Sequence, residues 1–124
     1  GFFILGFPTE TKKEIYQTIN LSLQLPLVRA NFFTFLPFPG TESYELIMKE
    51  NRKDKIDWKK FYFMNAAYTP ETISRQELKN LQRKAFFKFF FRYKIFFYNI
   101  SKIKNYNHFK FLFKRFINWI IKSD

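Results

Sequence analysis

Two short apolar runs separated by one stretch of helical periodicity open the chain. Phe2 to Leu5 is apolar and β-prone, and Gly6-Phe7-Pro8-Thr9-Glu10 punctuates it. From Ile15 the period changes: Ile15, Ile19 and Leu23, with Tyr16 beside them, recur at helical spacing until Leu25-Pro26 stops them. Thr11 and Glu14 precede that stretch at Thr-x-x-Glu spacing. In such a capping box the hydroxyl and the carboxylate each take one orphan backbone N–H. A second run, Asn31-Phe32-Phe33-Thr34-Phe35-Leu36, ends at Pro37-Phe38-Pro39-Gly40. Strand, capped helix and strand within about 36 residues predict a βαβ unit, and strands apolar on both faces predict a parallel sheet covered on both.

Further along, Thr41 is placed to cap a helix from about Glu42 to Asn51, with Glu42 and Glu45 complementing the positive end of its dipole. Arg52 to Asp57 is charged and predicts a solvated turn, and Trp58, Phe61, Tyr62 and Phe63 form an aromatic cluster expected to pack on the preceding fold. A second capping box, Ser74-x-x-Glu77, opens a helix expected to run to about Ile100, and a last helix is expected over Phe109 to Lys122. The resulting division is 1–57 and 58–124. The fold class is α/β, followed by a mostly α-helical extension.

Charge divides the chain further along, at Ser74. Residues 1–73 carry 9 basic and 8 acidic side chains, whereas residues 74–124 carry 13 and 2, so nearly all of the net +12 lies in the tail. The 124 residues include 20 Phe and no Cys. A disulfide framework, thiolate metal ligation and a thiol nucleophile are therefore excluded for this chain. His108 stands without metal-ligand or catalytic spacing. The chain opens at Gly1 inside an apolar run, without Met or a basic leader, and is expected to be an interior cut.

In βαβ architectures ligands bind at the carboxyl ends of the strands, which directs attention to Gly6–Thr11 and Pro37–Thr41. Each loop has a Gly where backbone can approach a ligand, and each leads into a helix N-terminus able to receive an anionic group. Taken singly, either loop is adequately explained as a tight βα turn.

Together, Phe3-Ile4-Leu5-Gly6-Phe7-Pro8-Thr9-Glu10-Thr11 and Phe35-Leu36-Pro37-Phe38-Pro39-Gly40-Thr41-Glu42-Ser43-Tyr44 resemble the late strands of radical S-adenosylmethionine enzymes. The resemblance is to the group with a cobalamin-binding domain, and Ser74 to Ile95 resembles the helical extension after the barrel in these proteins. It implies the last two βα units of a partial TIM-type (β/α) barrel. It further implies an enzyme that cleaves S-adenosylmethionine to a 5′-deoxyadenosyl radical, with methyl transfer and cobalamin as features of the group. Ile4, Gly6 and Glu10 map to the cofactor-seating strand end, and Gly40 and Thr41 to the loop lining the same mouth. No catalytic residue and no metal ligand is assigned. Thr9 stands where the family has Gly, so its Cβ is expected to crowd the turn. The family's [4Fe–4S] cluster requires a Cys-x-x-x-Cys-x-x-Cys loop, which must lie upstream, in a missing N-terminal part of the same polypeptide.

Lys84, Lys88 and Arg92 recur every four residues on an otherwise aromatic helix, and Lys110, Lys114, Arg115 and Lys122 lie opposite Leu112, Phe113, Phe116, Trp119 and Ile120. Packing against a barrel is the leading reading of the first set. The second fits a basic interfacial helix, and the basic amphipathic helices together support a rival function, a non-catalytic membrane-surface interaction module defined by residues 84–122. Nucleic-acid binding ranks below both. The expected partners are the upstream part of the polypeptide and a small-molecule substrate, in a cytoplasmic protein with peripheral membrane contact.

Overall fold

The computed structural model describes residues 1–50, 54, 56–103, 105–106, 109–111 and 114. These fall into two compact units, Gly1–Phe89 and Phe90–Asp124. The first is an α/β unit. It runs β1 (Phe2–Leu5), α1 (Lys12–Gln24), β2 (Asn31–Thr34), α2 (Glu42–Lys49), a 3-10 turn at Trp58–Lys60, and α3 (Arg75–Phe90). In the second unit, α4 spans Tyr93–Ser101.

The strands pair in parallel, with Phe3 opposite Phe32 and Leu5 opposite Thr34. Residues in register share a face, so Phe3, Leu5, Phe32 and Thr34 point one way and Phe2, Ile4, Asn31 and Phe33 the other. The first face is the packed one: Leu5 and Phe32 are fully buried, together with Ile15 and Ile19 of α1 and Leu78, Ala85 and Phe89 of α3. Phe86 and Phe89 meet the Phe32 ring edge-on at 5.4 and 6.1 Å. Burying a phenylalanine such as Phe32 contributes about 1.5 to 3 kcal/mol. The second face differs from the expected sandwich. Phe2 is 76% and Ile4 58% exposed, so the described residues cover one face of the sheet and leave the other open.

Both capping boxes form. Thr11 Oγ1 accepts the Glu14 N–H at 3.3 Å while the Glu14 carboxylate accepts the Thr11 N–H at 2.7 Å. Ser74 and Glu77 repeat the exchange at 3.2 Å in each direction. Thr41 caps α2 by accepting from Tyr44 at 3.3 Å. Ile47 of α2 anchors a small core with Phe35, Ile56 and Tyr68.

Three local expectations are corrected. In α1 it is Ser22, not Leu23, that joins Ile15 and Ile19 as fully buried, because its hydroxyl satisfies itself on the Ile19 carbonyl at 2.6 Å. Of the segment expected as a solvated turn, Arg52, Lys53 and Lys55 lie outside the described residues. Its end is packed: Ile56 is buried, and Asp57 is bonded to Arg75 at 2.7 Å. The long helix is two, interrupted at Phe91 and Arg92. Most of the expected last helix lies outside the described residues; Phe109, Lys110, Phe111 and Lys114 are helical.

The outer edge of β2 is covered without a third strand. The Thr34 N–H and hydroxyl both donate to the Phe63 carbonyl, at 2.7 and 3.0 Å, and Thr34 Oγ1 accepts the Ala66 N–H at 3.1 Å. Gln82 of α3 donates to the Phe32 carbonyl at 2.7 Å. Along the other edge, that of β1, no strand pairs among the described residues. The described sheet is thus two-stranded and does not close into a barrel.

Candidate functional site at the strand ends

The two loops leave the carboxyl ends of adjacent parallel strands, bridged at their root by the Phe35 N–H donating to the Leu5 carbonyl at 2.8 Å. An edge-on contact between the Phe7 and Phe35 rings at 5.2 Å joins them further out. Beyond these contacts each loop is organised by its own hydrogen bonds.

In the first loop Gly6 has φ +83°, and the Glu10 carboxylate folds back on it. One oxygen, Oε2, accepts the N–H groups of Gly6 at 2.5 Å and Phe7 at 3.2 Å. Phe7 to Glu10 is itself a turn, closed by the Glu10 N–H on the Phe7 carbonyl at 2.8 Å, with Pro8 at its first corner. Burial pushes the Glu10 carboxyl above its ordinary range, and the two N–H donors partly offset this. Thr72 donates to the Glu10 carbonyl at 3.1 Å, fixing the loop to the segment that leads into α3. A Cβ on Gly6 would meet Leu78 Cδ2 at 2.7 Å, so Gly6 is required both by its positive φ and by the approach of α3. Thr9 does not crowd the turn as expected. It is exposed, and Ala66 is the non-glycine with positive φ among the described residues.

The second loop is a Phe38-Pro39-Gly40-Thr41 turn. Thr41 donates to the Phe38 carbonyl through its N–H at 3.2 Å and its hydroxyl at 2.7 Å, and Gly40 has φ +83° with nothing within 4 Å of a would-be Cβ. Pro then Gly in a positive-φ position is the sequence chemistry of a type II turn. Aromatic rings surround it: Phe38 meets Phe61 at 5.5 Å, and Phe61 stacks on Trp58 at 5.2 Å. The expected aromatic cluster therefore packs at this end of the sheet, with Trp58 remaining 52% exposed.

Of the five expected site residues, Gly6 and Glu10 are in direct contact, Gly40 and Thr41 share the second turn, and Ile4 lies on the open face one residue before Leu5 ends β1. Each helix N-terminus has carboxylates of the chain itself nearby: Glu14 accepts the Thr11 N–H ahead of α1, and Glu42 and Glu45 lie in the first turn of α2. Against S-adenosylmethionine the residues fit in part. Ile4 presents an exposed apolar side chain, and Glu10 keeps Oε1 outside the bonds that Oε2 accepts. The Gly6 N–H is engaged. An iron–sulfur cluster does not fit: the chain has no thiolate, and no group of three His, Cys, Asp or Glu among the described residues could hold a metal ion. Sequence reasoning missed Leu78, Thr72 and the Phe63 to Ala66 segment, whose roles depend on distant pairings that no local pattern encodes.

The class defined by this geometry is an α/β chain with paired βα loops at one end of a parallel sheet whose second face is open. Over 122 residues, 98% of its length, it is 29% identical to the uncharacterized methyltransferase PH0819 of Pyrococcus horikoshii. The chain spans about a quarter of that relative, 26% of its length. No family model and no solved structure matches the chain.

Proposed function

We propose that this chain is the C-terminal part of an S-adenosylmethionine-dependent enzyme of methyl transfer, of the radical type whose core precedes it in a longer polypeptide. The observation that carries this reading is the similarity to a methyltransferase along nearly the whole chain. The paired loops at adjacent strand ends support it. In this reading residues 1–57 supply the last two βα units of a barrel and residues 58–124 its helical extension. The open face and the unpaired edge of β1 are then where the upstream strands add.

Ile4 gives an apolar contact to a flat base, Glu10 Oε1 accepts from hydroxyl or ammonium donors, and Gly6 holds the turn that points Glu10 back at the strand end. Gly40 and Thr41 shape the rim. Bound S-adenosylmethionine supplies an activated methyl group or, on reductive cleavage, a 5′-deoxyadenosyl radical; cobalamin would serve as methyl carrier in the group resembled. The cluster ligands belong to the upstream part, and the parent is a cytoplasmic enzyme acting on a small molecule.

The test is made on the full-length gene product, purified without oxygen and incubated with S-adenosylmethionine and a reductant. Bound iron and release of 5′-deoxyadenosine are expected. Replacing Glu10 by Ala is expected to raise the S-adenosylmethionine KM about tenfold, the loss of roughly one charge-assisted hydrogen bond. An iron-free protein yielding only S-adenosylhomocysteine would remove the radical reading and retain methyl transfer; neither product would remove both.

A further inference from the structure

Among the described residues, the second unit presents a helix whose apolar stripe is left largely open. In α4, Tyr93, Phe96, Phe97 and Ile100 stand at i, i+3, i+4 and i+7, the spacing with which a surface helix normally seats itself on a core. Here they are 77, 40, 53 and 46% exposed. The rings contact one another instead, Tyr93 with Phe97 at 4.6 Å and Phe96 with Phe97 edge-on at 5.7 Å. Tyr98, also exposed, carries the Lys102 ammonium 5.3 Å above its ring. Lys94 is exposed on the same helix. From Phe90 to Asp124 the chain has 8 basic side chains and 1 acidic one, at Asp124.

The basic stripe read in the sequence is partly committed elsewhere. Lys84 donates to the Tyr16 hydroxyl at 3.3 Å and lies 5.0 Å over its ring, so it serves packing between α1 and α3. On α4 the exposed Lys94 stands beside the exposed apolar side chains, and Lys102 follows directly after its end.

An anionic lipid surface satisfies both features at once. Its acyl boundary takes up Phe and Ile, and its headgroup layer attracts Lys and accommodates a tyrosine with a cation over its ring. Nine residues at about 1.5 Å each reach less than half of a hydrocarbon core about 30 Å thick, so α4 can lie in the interface and not span it. No helix among the described residues is long and apolar enough to cross a membrane. A single-stranded nucleic acid would call for rings free to stack on bases, whereas Phe96 and Phe97 stand at 88° to each other and Ile100 offers no ring at all. We propose that α4 is an interfacial membrane-binding element, seating Tyr93, Phe96, Phe97 and Ile100 at the acyl boundary of an anionic bilayer with Lys94 and Lys102 among the headgroups. This stands independently of the methyl-transfer reading.

Co-sedimentation of the full chain with phosphatidylcholine vesicles, with and without phosphatidylserine, tests it. Binding to the anionic vesicles is expected to exceed binding to neutral ones about tenfold or more at low salt, and to fall at high salt. Phe96→Ser combined with Phe97→Ser should weaken it about tenfold or more. Val28→Ser, which removes an exposed apolar side chain of the first unit, should leave it unchanged. Lys94→Glu with Lys102→Glu keeps the apolar stripe and should weaken binding to anionic vesicles alone. Equal binding to both vesicle types, full binding by the double Phe variant, or displacement from the vesicles by a polyuridine oligonucleotide would overturn the proposal.

Discussion

The Glu10 carboxylate closes the turn at the end of β1 by accepting the Gly6 N–H at 2.5 Å. The same oxygen also holds the exposed Phe7 N–H, and removing it leaves the part-buried Gly6 N–H without this acceptor. Glu10→Ala is expected to destabilise the chain by about 1 to 3 kcal/mol, and Glu10→Gln, which keeps an acceptor without the charge, by about 1 kcal/mol or less. Urea unfolding followed by circular dichroism measures both. An Ala variant as stable as the parent would show that the turn is set by Pro8 and Gly6 alone.

Thr34 links β2 to the segment that covers its edge. It is 2% exposed and its hydroxyl both donates to the Phe63 carbonyl and accepts from the fully buried Ala66. Val has nearly the same shape and no oxygen, so Thr34→Val strands the Ala66 N–H at a cost of about 1 to 3 kcal/mol. Thr34→Ser retains the oxygen and should cost about 1 kcal/mol, for one lost methyl group. If the two variants unfold at the same urea concentration, the bridge contributes nothing to stability.

Gly6 and Gly40 have the same φ of +83° but different surroundings. At Gly40 a Cβ meets nothing, so Gly40→Ala should cost only the left-handed strain, about 1 to 2 kcal/mol. At Gly6 the Cβ also collides with buried Leu78, which adds about 1 to 3 kcal/mol of overpacking. Combining Gly6→Ala with Leu78→Ala should therefore destabilise less than the sum of the single variants. Strict additivity in thermal melts would contradict the contact.

Features written in neighbouring residues are legible in the sequence. Thr11 with Glu14 and Ser74 with Glu77 satisfy backbone donors three residues away, and the apolar run Phe2 to Leu5 is the strand observed, residue for residue. Features fixed by distant partners are not. Gln82 is polar, yet it is buried because its side chain finds the Phe32 carbonyl fifty residues away. The open face of the sheet was equally hidden, since an apolar side chain such as Phe2 declares what should cover it and not whether the covering segment is present. The break between α3 and α4 falls on Phe91 and Arg92, where neither Gly nor Pro marks it, and nothing in the structure explains it. At the candidate site the two turns were legible as turns, because Gly and Pro specify backbone directly. The use of Glu10 as a cap for Gly6 was not, since a carboxylate folding back four residues onto a strand end has no local sequence signature.

Acid should weaken the fold through three carboxylates held below their ordinary range. Asp57 is lowered chiefly by its hydrogen bond from Arg75, Glu14 by the Thr11 N–H, and Glu77 by the Lys12 ammonium at 3.0 Å. A carboxylate depressed in the folded state stabilises above its unfolded pKa, near 4, and loses that contribution as pH falls through its folded value. Glu10 acts in the opposite sense. Its raised pKa lets the folded chain take up a proton first, so its contribution declines as pH rises through the interval above its ordinary value. Lys12, raised by Glu77, adds stability that is complete below its unfolded pKa and is lost above about pH 10. Melting temperature is therefore expected to fall below about pH 4, where three groups outweigh one. Asp57→Asn should lower the melting temperature at neutral pH and flatten the acid limb, because the protonation that breaks the Arg75 bond is then already in place. Melting curves at stepped pH values decide it: an acid limb of unchanged slope in the Asn variant would place the acid sensitivity elsewhere than at Asp57.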